Sequence, residues 1–365
     1  MRVDMNSPDY RRYPGGDLVR RMIFGATVIL ILALLTGCGN SNAYYVVGNR
    51  DQQHQLRVLF RLYEKAKRTG ADRVFLIEQI TNLISVAGYD DRESLFLTTY
   101  VERNPDDAYD GYYLFMAARN YLDSDARPIA AYYFRRVVTG YPDVVVQGKS
   151  IQFEALTQLT RLSRDPQIRA DAYQSLIARF SDQIDVASAY YFLGKSYAAL
   201  SQWNDAFAAY REFLKFPDAQ VSGFPNARKD IISEVAFYDS AKDWTIPTLG
   251  ELASGVRAAI QNVDPRALLR YKAKVNFFAM SWDQQSTADP DPTDFPVQAF
   301  LSRYIQIANN LEVSTDGSEA YLRTTGWADP RISTWYLYFR KVDFPADPMV
   351  NGRWEWAGVY FGDRT

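Results

Sequence analysis

The segment ASAYYFLGKSYAALSQWNDAFAAYREFLKFP, residues 187–217, contains two amphipathic helices in direct succession. Its large apolar residues recur at steps of three and four, which is the spacing of one face of an α-helix. Gly194 and Ala206 are small and lie one on each helix, so the two backbones can approach closely. Pro217 ends the second helix. The segment therefore predicts a hairpin of two packed helices.

The same spacing recurs earlier in the chain, in units that begin at Val74 and Gly111. The corresponding positions hold Ile77, Ile80, Ile84, Gly88, Leu97, Tyr100 and Pro105 in one unit, and Leu114, Ala117, Ala118, Tyr121, Ala130, Phe134, Val137 and Pro142 in the other. The gap from 111 to 187 is about twice the gap from 74 to 111, so a weaker unit is expected at 149–182. There the positions hold Leu156, Leu159, Ala172, Leu176 and Phe180.

This pattern resembles the tetratricopeptide repeat, a helix hairpin of about 34 residues. The resemblance implies a repeat domain over 49–242 with units at about 74–107, 111–144, 149–182 and 187–220. Helices at 49–67 and 226–242 would cap its two ends, because terminal repeats must close the array. A generic helical bundle with similar apolar stripes is the alternative.

In tetratricopeptide proteins the second, fifth, ninth and twelfth positions of each unit line the concave face. The resemblance places there Phe75, Glu78, Asn82 and Ser85, then Tyr112, Phe115, Arg119 and Leu122, then Ser188, Tyr191, Lys195 and Ala198. We expect a partner-binding groove formed by Tyr112, Phe115, Arg119, Tyr191, Lys195 and Asn82, with the aromatic rings as anchors and the cations selecting an acidic group. Alternatively, the rings pack against neighbouring hairpins and the cations are solvated.

The chain begins with the features of an exported protein. Arg20 and Arg21 precede a short apolar run, 22–35, that ends in small residues, as in a secretory signal. The following Leu35-Thr36-Gly37-Cys38 resembles the lipobox of bacterial lipoproteins. That resemblance implies cleavage of residues 1–37, acylation of Cys38 and a tether over 38–48, with Gly39 favouring the outer over the inner membrane. An ordinary signal with a chance cysteine, or a buried thiol, is the alternative.

Residues 243–365 follow a different pattern and predict a smaller α+β domain. Helices are expected at 248–261 and, after the capping pair Asp264-Pro265, through Leu268, Tyr271, Val275, Phe278 and Met280. Alternating β-prone runs at 303–313, 318–327, 332–343 and 352–361 predict an antiparallel sheet with helices on one face. This order of elements weakly resembles the nuclear-transport-factor-like superfamily.

Composition and motifs give no sign of an enzyme or of nucleic-acid binding. Without residues 1–37 the chain has 36 basic and 40 acidic side chains, so it lacks the positive field that nucleic acids require. Its single histidine, His54, lies in the predicted capping helix, where no nucleophile is suggested. Cysteine and histidine show no zinc spacing, and Asp289, Asp291 and Asp294 alternate with prolines as in a solvated loop.

Taken together, the sequence predicts a mainly α protein, a solenoid of helix hairpins followed by a smaller α+β domain. We expect a lipid-anchored protein of the bacterial cell envelope that binds a protein or peptide partner and needs no cofactor or metal beyond its covalent lipid. The alternative is an accessory component of an envelope transport system, with a small apolar ligand in a pocket of the repeats or the sheet domain. Whether the chain self-associates is left open.

Overall fold

The computed structural model describes residues 42–66, 71–282, 292–329 and 331–363. The predicted signal peptide and Cys38, as well as Asp289 and Asp291, lie outside these described residues. The chain divides into two compact units, residues 1–155 and 156–365. The predicted domain boundary at 242/243 lies inside the second unit, which joins the last helix pairs to the C-terminal sheet.

The described residues contain twelve α-helices, which we number in chain order. They are α1 (Arg50–Lys65), α2 (Ala71–Val86), α3 (Asp90–Arg103), α4 (Asp110–Asp123), α5 (Arg127–Gly140), α6 (Ile151–Leu162), α7 (Pro166–Phe180), α8 (Val186–Ala199), α9 (Trp203–Leu214), α10 (Ala227–Asp239), α11 (Leu249–Gln261) and α12 (Pro265–Tyr271). Each predicted repeat unit thus contains one pair of helices. The prediction of a mainly helical chain followed by a smaller sheet domain is confirmed.

In the first unit, each helix from α1 to α4 packs against the next one in the chain. A capping box between Asn49 and Gln52 starts α1, so the first backbone N–H groups are satisfied at once. The core includes the positions that the repeat spacing selects, namely Ile77, Ile80, Ile84, Leu97, Tyr100, Leu114, Ala117, Ala118, Ala130, Phe134 and Val137. The apolar stripes of these helices are therefore buried against one another.

A small hairpin that the sequence did not predict follows α5. Strands β1 (Val145–Val146) and β2 (Lys149–Ser150) pair antiparallel around Gln147 and Gly148. Both turn residues have positive φ, 51° and 79°, which the two-residue turns of tight hairpins require. This turn brings the chain back to the start of α6.

In the second unit, α8 and α9 form the tightest helix pair. Gly194 on α8 faces the ring of Tyr210 on α9, and a β-carbon at position 194 would overlap that ring. Tyr191, Ala206, Phe207, Tyr210, Phe213 and Ile231 form one buried cluster around this contact. Phe344, from the loop after the second long strand of the sheet, packs against the same cluster, so helix pair and sheet domain share apolar contacts.

The C-terminal sheet is mixed. Its strands are β3 (Phe278–Ser281), β4 (Gln306–Ile307), β5 (Glu312–Val313), β6 (Glu319–Thr325), β7 (Thr334–Lys341) and β8 (Trp354–Phe361), in the order β3-β8-β7-β6-β4, with β5 also on β6. The long strands β6, β7 and β8 pair antiparallel, as predicted, whereas β3 pairs parallel with β8. One face packs on α11 and α12, and rings of the opposite face pack on one another.

Two elements of this domain differ from the sequence prediction. The helix expected to run through Met280 ends at Tyr271, because Lys272 is extended, with a ψ of 131°, and the next backbone N–H, that of Ala273, bonds to the carbonyl of Trp356 on β8. Asn276, further on, has a left-handed φ of 57°, which no α-helix contains. Phe278 and Met280 are buried on alternate residues of β3, so they share one face of a strand. The run 303–313, expected as one strand, contains the two short strands β4 and β5.

We predict that Gly194→Ala destabilises the second unit by about 1–3 kcal/mol, because the added methyl group must displace the buried ring of Tyr210. The matched control is Gly250→Ala in α11, where a β-carbon meets no atom within 4 Å. The control should leave the chain as stable as before or slightly more stable. Urea unfolding followed by tryptophan fluorescence measures both. Equal midpoints for the two variants would contradict the close approach of α8 and α9.

Candidate binding surfaces

In the first unit, the residues predicted for the concave face come from α2 and α4. Asn82 and Phe75 lie on α2, and Tyr112, Phe115 and Arg119 lie on α4. The hydroxyl of Tyr112 donates a hydrogen bond to Glu78 Oε1 on α2 at 3.0 Å. The structure therefore brings these two helices side by side. We call Phe75, Glu78, Asn82, Tyr112, Phe115 and Arg119 the first-unit surface.

The members of the first-unit surface differ in their accessibility. Phe75 is 58% exposed, and Asn82 and Arg119 are also exposed. Tyr112 and Phe115 are half-buried, and the ring of Phe115 lies edge-on to Phe134 at 5.7 Å. The surface thus presents one exposed aromatic ring, one amide and one cation, together with the two half-buried rings of Tyr112 and Phe115.

The two predicted groove residues of the second unit have internal partners instead. Tyr191 is only 3% exposed, because the rings of Phe213 and Phe224 cover it at 5.5 and 5.4 Å. Lys195 Nζ forms an ion pair with Glu234 at 3.0 Å. Tyr191 is therefore a core residue, and its ring is not accessible to a partner.

Buried carboxyl groups lie within the first unit. Asp110, at the start of α4, is 0% exposed, and neither of its carboxyl oxygens has a hydrogen-bond partner. Burial raises the pKa of Asp110 to about 7, and the neighbouring Asp107 carboxylate adds to this shift. Burial likewise raises the pKa of Glu93 on α3 to about 7. Asp107 differs, since it accepts a hydrogen bond from the Tyr100 hydroxyl at 2.5 Å.

The second unit contains a cleft of about 390 Å³ between α9, α10 and the segment that follows β7. We call this the second-unit cleft. Its apolar wall includes the rings of Trp203, Phe207, Phe237 and Phe344, and its polar lining includes Ser233, Glu234, Asn276, Arg340, Lys341, Asp343 and Glu355. The cleft therefore combines an aromatic wall with several charged groups.

One ion pair anchors the polar side of the second-unit cleft. Glu355 on β8 is 1% exposed and accepts hydrogen bonds from Arg340 Nε and from Trp244 Nε1, each at 2.7 Å. Arg340 and Glu355 lie opposite each other on β7 and β8. We did not predict this site from the sequence. Its only signal there is the pair of cations, Arg340 and Lys341, at the end of one aromatic-rich strand and the single acid Glu355 in the next.

The described residues offer neither a membrane span nor a cluster of metal ligands. No helix there combines the length and apolar character needed to cross a bilayer. Within the same residues, no group of three or more His, Cys, Asp and Glu side chains is placed to hold a metal ion. His54 is exposed on α1.

Comparison with known proteins gives no further guide to these surfaces. No protein-family model matches the sequence, and no curated protein matches it.

We predict that Asp110→Asn stabilises the chain above pH 7 by more than about 1 kcal/mol and has little effect near pH 4. The folded pKa of Asp110 is about 7 and its ordinary value is 3.8, so ionisation in the folded state is unfavourable across this interval. The stability of the unaltered chain should therefore fall as the pH rises from about 4 to 7. Asp123→Asn, at an exposed position at the other end of α4, is the control. Urea unfolding at several pH values measures the free energy of unfolding of both variants. If its dependence on pH were identical for the two, Asp110 would not be a buried carboxyl group without a hydrogen-bond partner.

Proposed function

We propose that this protein is a lipid-anchored scaffold of the bacterial cell envelope that binds a protein or peptide partner on its first-unit surface. In this proposal the helix pairs are tetratricopeptide units, and the C-terminal domain is a nuclear-transport-factor-like domain that adds a second contact region. The role is non-enzymatic and needs no cofactor or metal apart from the covalent lipid, and nucleic acid is not a partner.

The observation that carries this proposal is the exposed ring of Phe75 on α2. The same helix also presents the exposed Asn82, and the adjacent α4 presents the exposed Arg119. The other large side chains predicted for the concave face, Tyr112, Phe115 and Leu122, are partly buried, whereas Phe75 is 58% exposed. Aromatic residues and arginine are enriched at protein–protein interfaces relative to the rest of the surface. The Tyr112 to Glu78 hydrogen bond fixes the two helices that form the surface.

The proposed anchor gives this surface its place in the cell. Cys38 follows the lipobox-like residues 35–37, and several acyl chains on one residue hold a protein at a membrane almost permanently. We place the protein at the outer membrane, facing the periplasm or the exterior, since Gly39 is not the aspartate of an inner-membrane signal. Confinement to a thin layer raises the effective concentration of partners, so moderate contacts suffice.

The second-unit cleft favours a second candidate function, an accessory that binds a small ligand for an envelope transport system. Its volume of about 390 Å³ is within the usual range of small-molecule sites, about 300–1,000 Å³. The cleft and the first-unit surface use different residues, so the two candidate functions can be tested separately.

We predict that Phe75→Ala combined with Arg119→Ala lowers partner binding more than about tenfold, because the aromatic anchor and the cation are both lost. Cross-linking in intact cells, followed by mass spectrometry of the co-purified proteins, measures this loss. Tyr132→Ala with Arg136→Ala on α5 is the matched control, since Tyr132 is 56% exposed and its ring lies near the Arg136 guanidinium. A partner lost equally from both double variants, or from neither, argues against the first-unit surface.

A further prediction concerns the anchor. Mass analysis of protein from its native host should show cleavage before residue 38 and acyl chains on Cys38. Cys38→Ser should leave the protein unacylated and shift it from the membrane to the soluble fraction, because the methylenes no longer insert into the bilayer. Intact leader residues and an unmodified cysteine in the native protein would rule out lipid anchoring.

A further inference from the structure

We propose that the second-unit cleft binds a small molecule that has an apolar body and a single carboxylate, with the carboxylate on Arg340. This inference deepens the second candidate function and depends on it. It replaces the purely apolar ligand expected from the sequence with an amphipathic one, because the cleft is polar along one side.

The apolar side of the cleft is formed by rings held in place by the protein itself. Phe344 lies 5.0 Å from Phe237 and 6.4 Å from Phe207, measured between ring centroids. Phe207 also stacks on Tyr238 at 3.8 Å. Such a wall is pre-formed, and an apolar ligand gains free energy by covering it without ordering the side chains first.

The polar side of the cleft presents part of a guanidinium group. Arg340 donates from Nε to Glu355, and among the described residues its two terminal nitrogens have no hydrogen-bond partner. Its side chain is 38% exposed. A guanidinium fork with two parallel N–H groups matches the two oxygens of a carboxylate. Glu355, itself fixed by Trp244, holds that fork in position.

The remaining charges favour a singly charged anion. Arg340 pairs with Glu355, and Lys195 pairs with Glu234, while the lining also contains one further cation, Lys341, and one further acid, Asp343. The three acidic residues of the lining oppose a doubly charged group such as a phosphate monoester more than a carboxylate, since the repulsion grows with the charge of the ligand. A carboxylate can accept hydrogen bonds from both terminal nitrogens of Arg340 while it carries only one negative charge.

Binding of two matched series of probes to the full chain tests this inference. The aromatic series is 4-phenylbutyrate, 4-phenylbutanol and 4-phenylbutylamine, and the aliphatic series is octanoate, octanol and octylamine. Isothermal titration calorimetry should show each carboxylate binding about tenfold or more tighter than its alcohol, with the amine weakest. The stronger of the two series identifies whether the natural ligand has an aromatic or an acyl body.

Three variants assign the binding to the cleft. Arg340→Gln should lower the affinity of each carboxylate to that of the matching alcohol. Ser233→Trp should abolish binding of both, because the new side chain fills the cleft while the Arg340 to Glu355 pair remains. Arg323→Gln is the control, since Arg323 lies on β6 and outside the lining. If Arg340→Gln does not fold, two other results still test the proposal. The affinities of acid and alcohol for the unaltered chain test the carboxylate, and the Ser233→Trp variant tests the location.

Each result bears on the proposal. Alcohols that bind as tightly as acids, or amines that bind more tightly, would overturn the carboxylate assignment but leave a ligand-binding function in place. Carboxylate binding that survives Ser233→Trp would overturn the location. If no probe of either series binds, both this inference and the second candidate function fail.

Discussion

The structure depends on the burial of apolar stripes between successive short helices. Each of the twelve described helices has at most 16 residues, a length at which an isolated helix in water is marginal. Stability must therefore come from packing, and packing requires small residues where two backbones meet. Gly194 against Tyr210 is the tightest such contact, and Ala117, Ala118 and Ala130 are fully buried between α4 and its neighbours.

This constraint also determines which residues remain for binding. A helix in such a pair buries one stripe and leaves another outside, so its outer residues are free to vary in chemistry. On α2 and α4 the exposed residues of the predicted concave face are Phe75, Asn82 and Arg119. On α8 the same stripe is closed at Tyr191, because the loop between α9 and α10 brings Phe224 over its ring. A repeat position thus predicts the side of the helix on which a residue lies, whereas the loops determine whether that residue is accessible to a partner.

The helices and much of their core were predictable from the sequence, since a period of 3.6 extends over many residues. The strand β3 was not, because four apolar-rich residues fit a helix or a strand equally well, and the left-handed Asn276 that separates them from α12 has no clear sequence signal. The second-unit cleft was also not predictable. Arg340 and Glu355 are 15 positions apart, and only the register of β7 on β8 makes them partners.

Hydroxyl-radical footprinting of intact cell envelopes tests the central claim, that the first-unit surface binds a protein partner, most directly. Phe75 and Tyr132 are similarly exposed, 58% and 56%, on different helices of the same unit, so each serves as reference for the other. Oxidation of Phe75 should be several-fold lower in the envelopes than in the purified protein, while oxidation of Tyr132 stays unchanged. Equal oxidation of Phe75 in both preparations, or protection confined to Tyr132, would contradict the account.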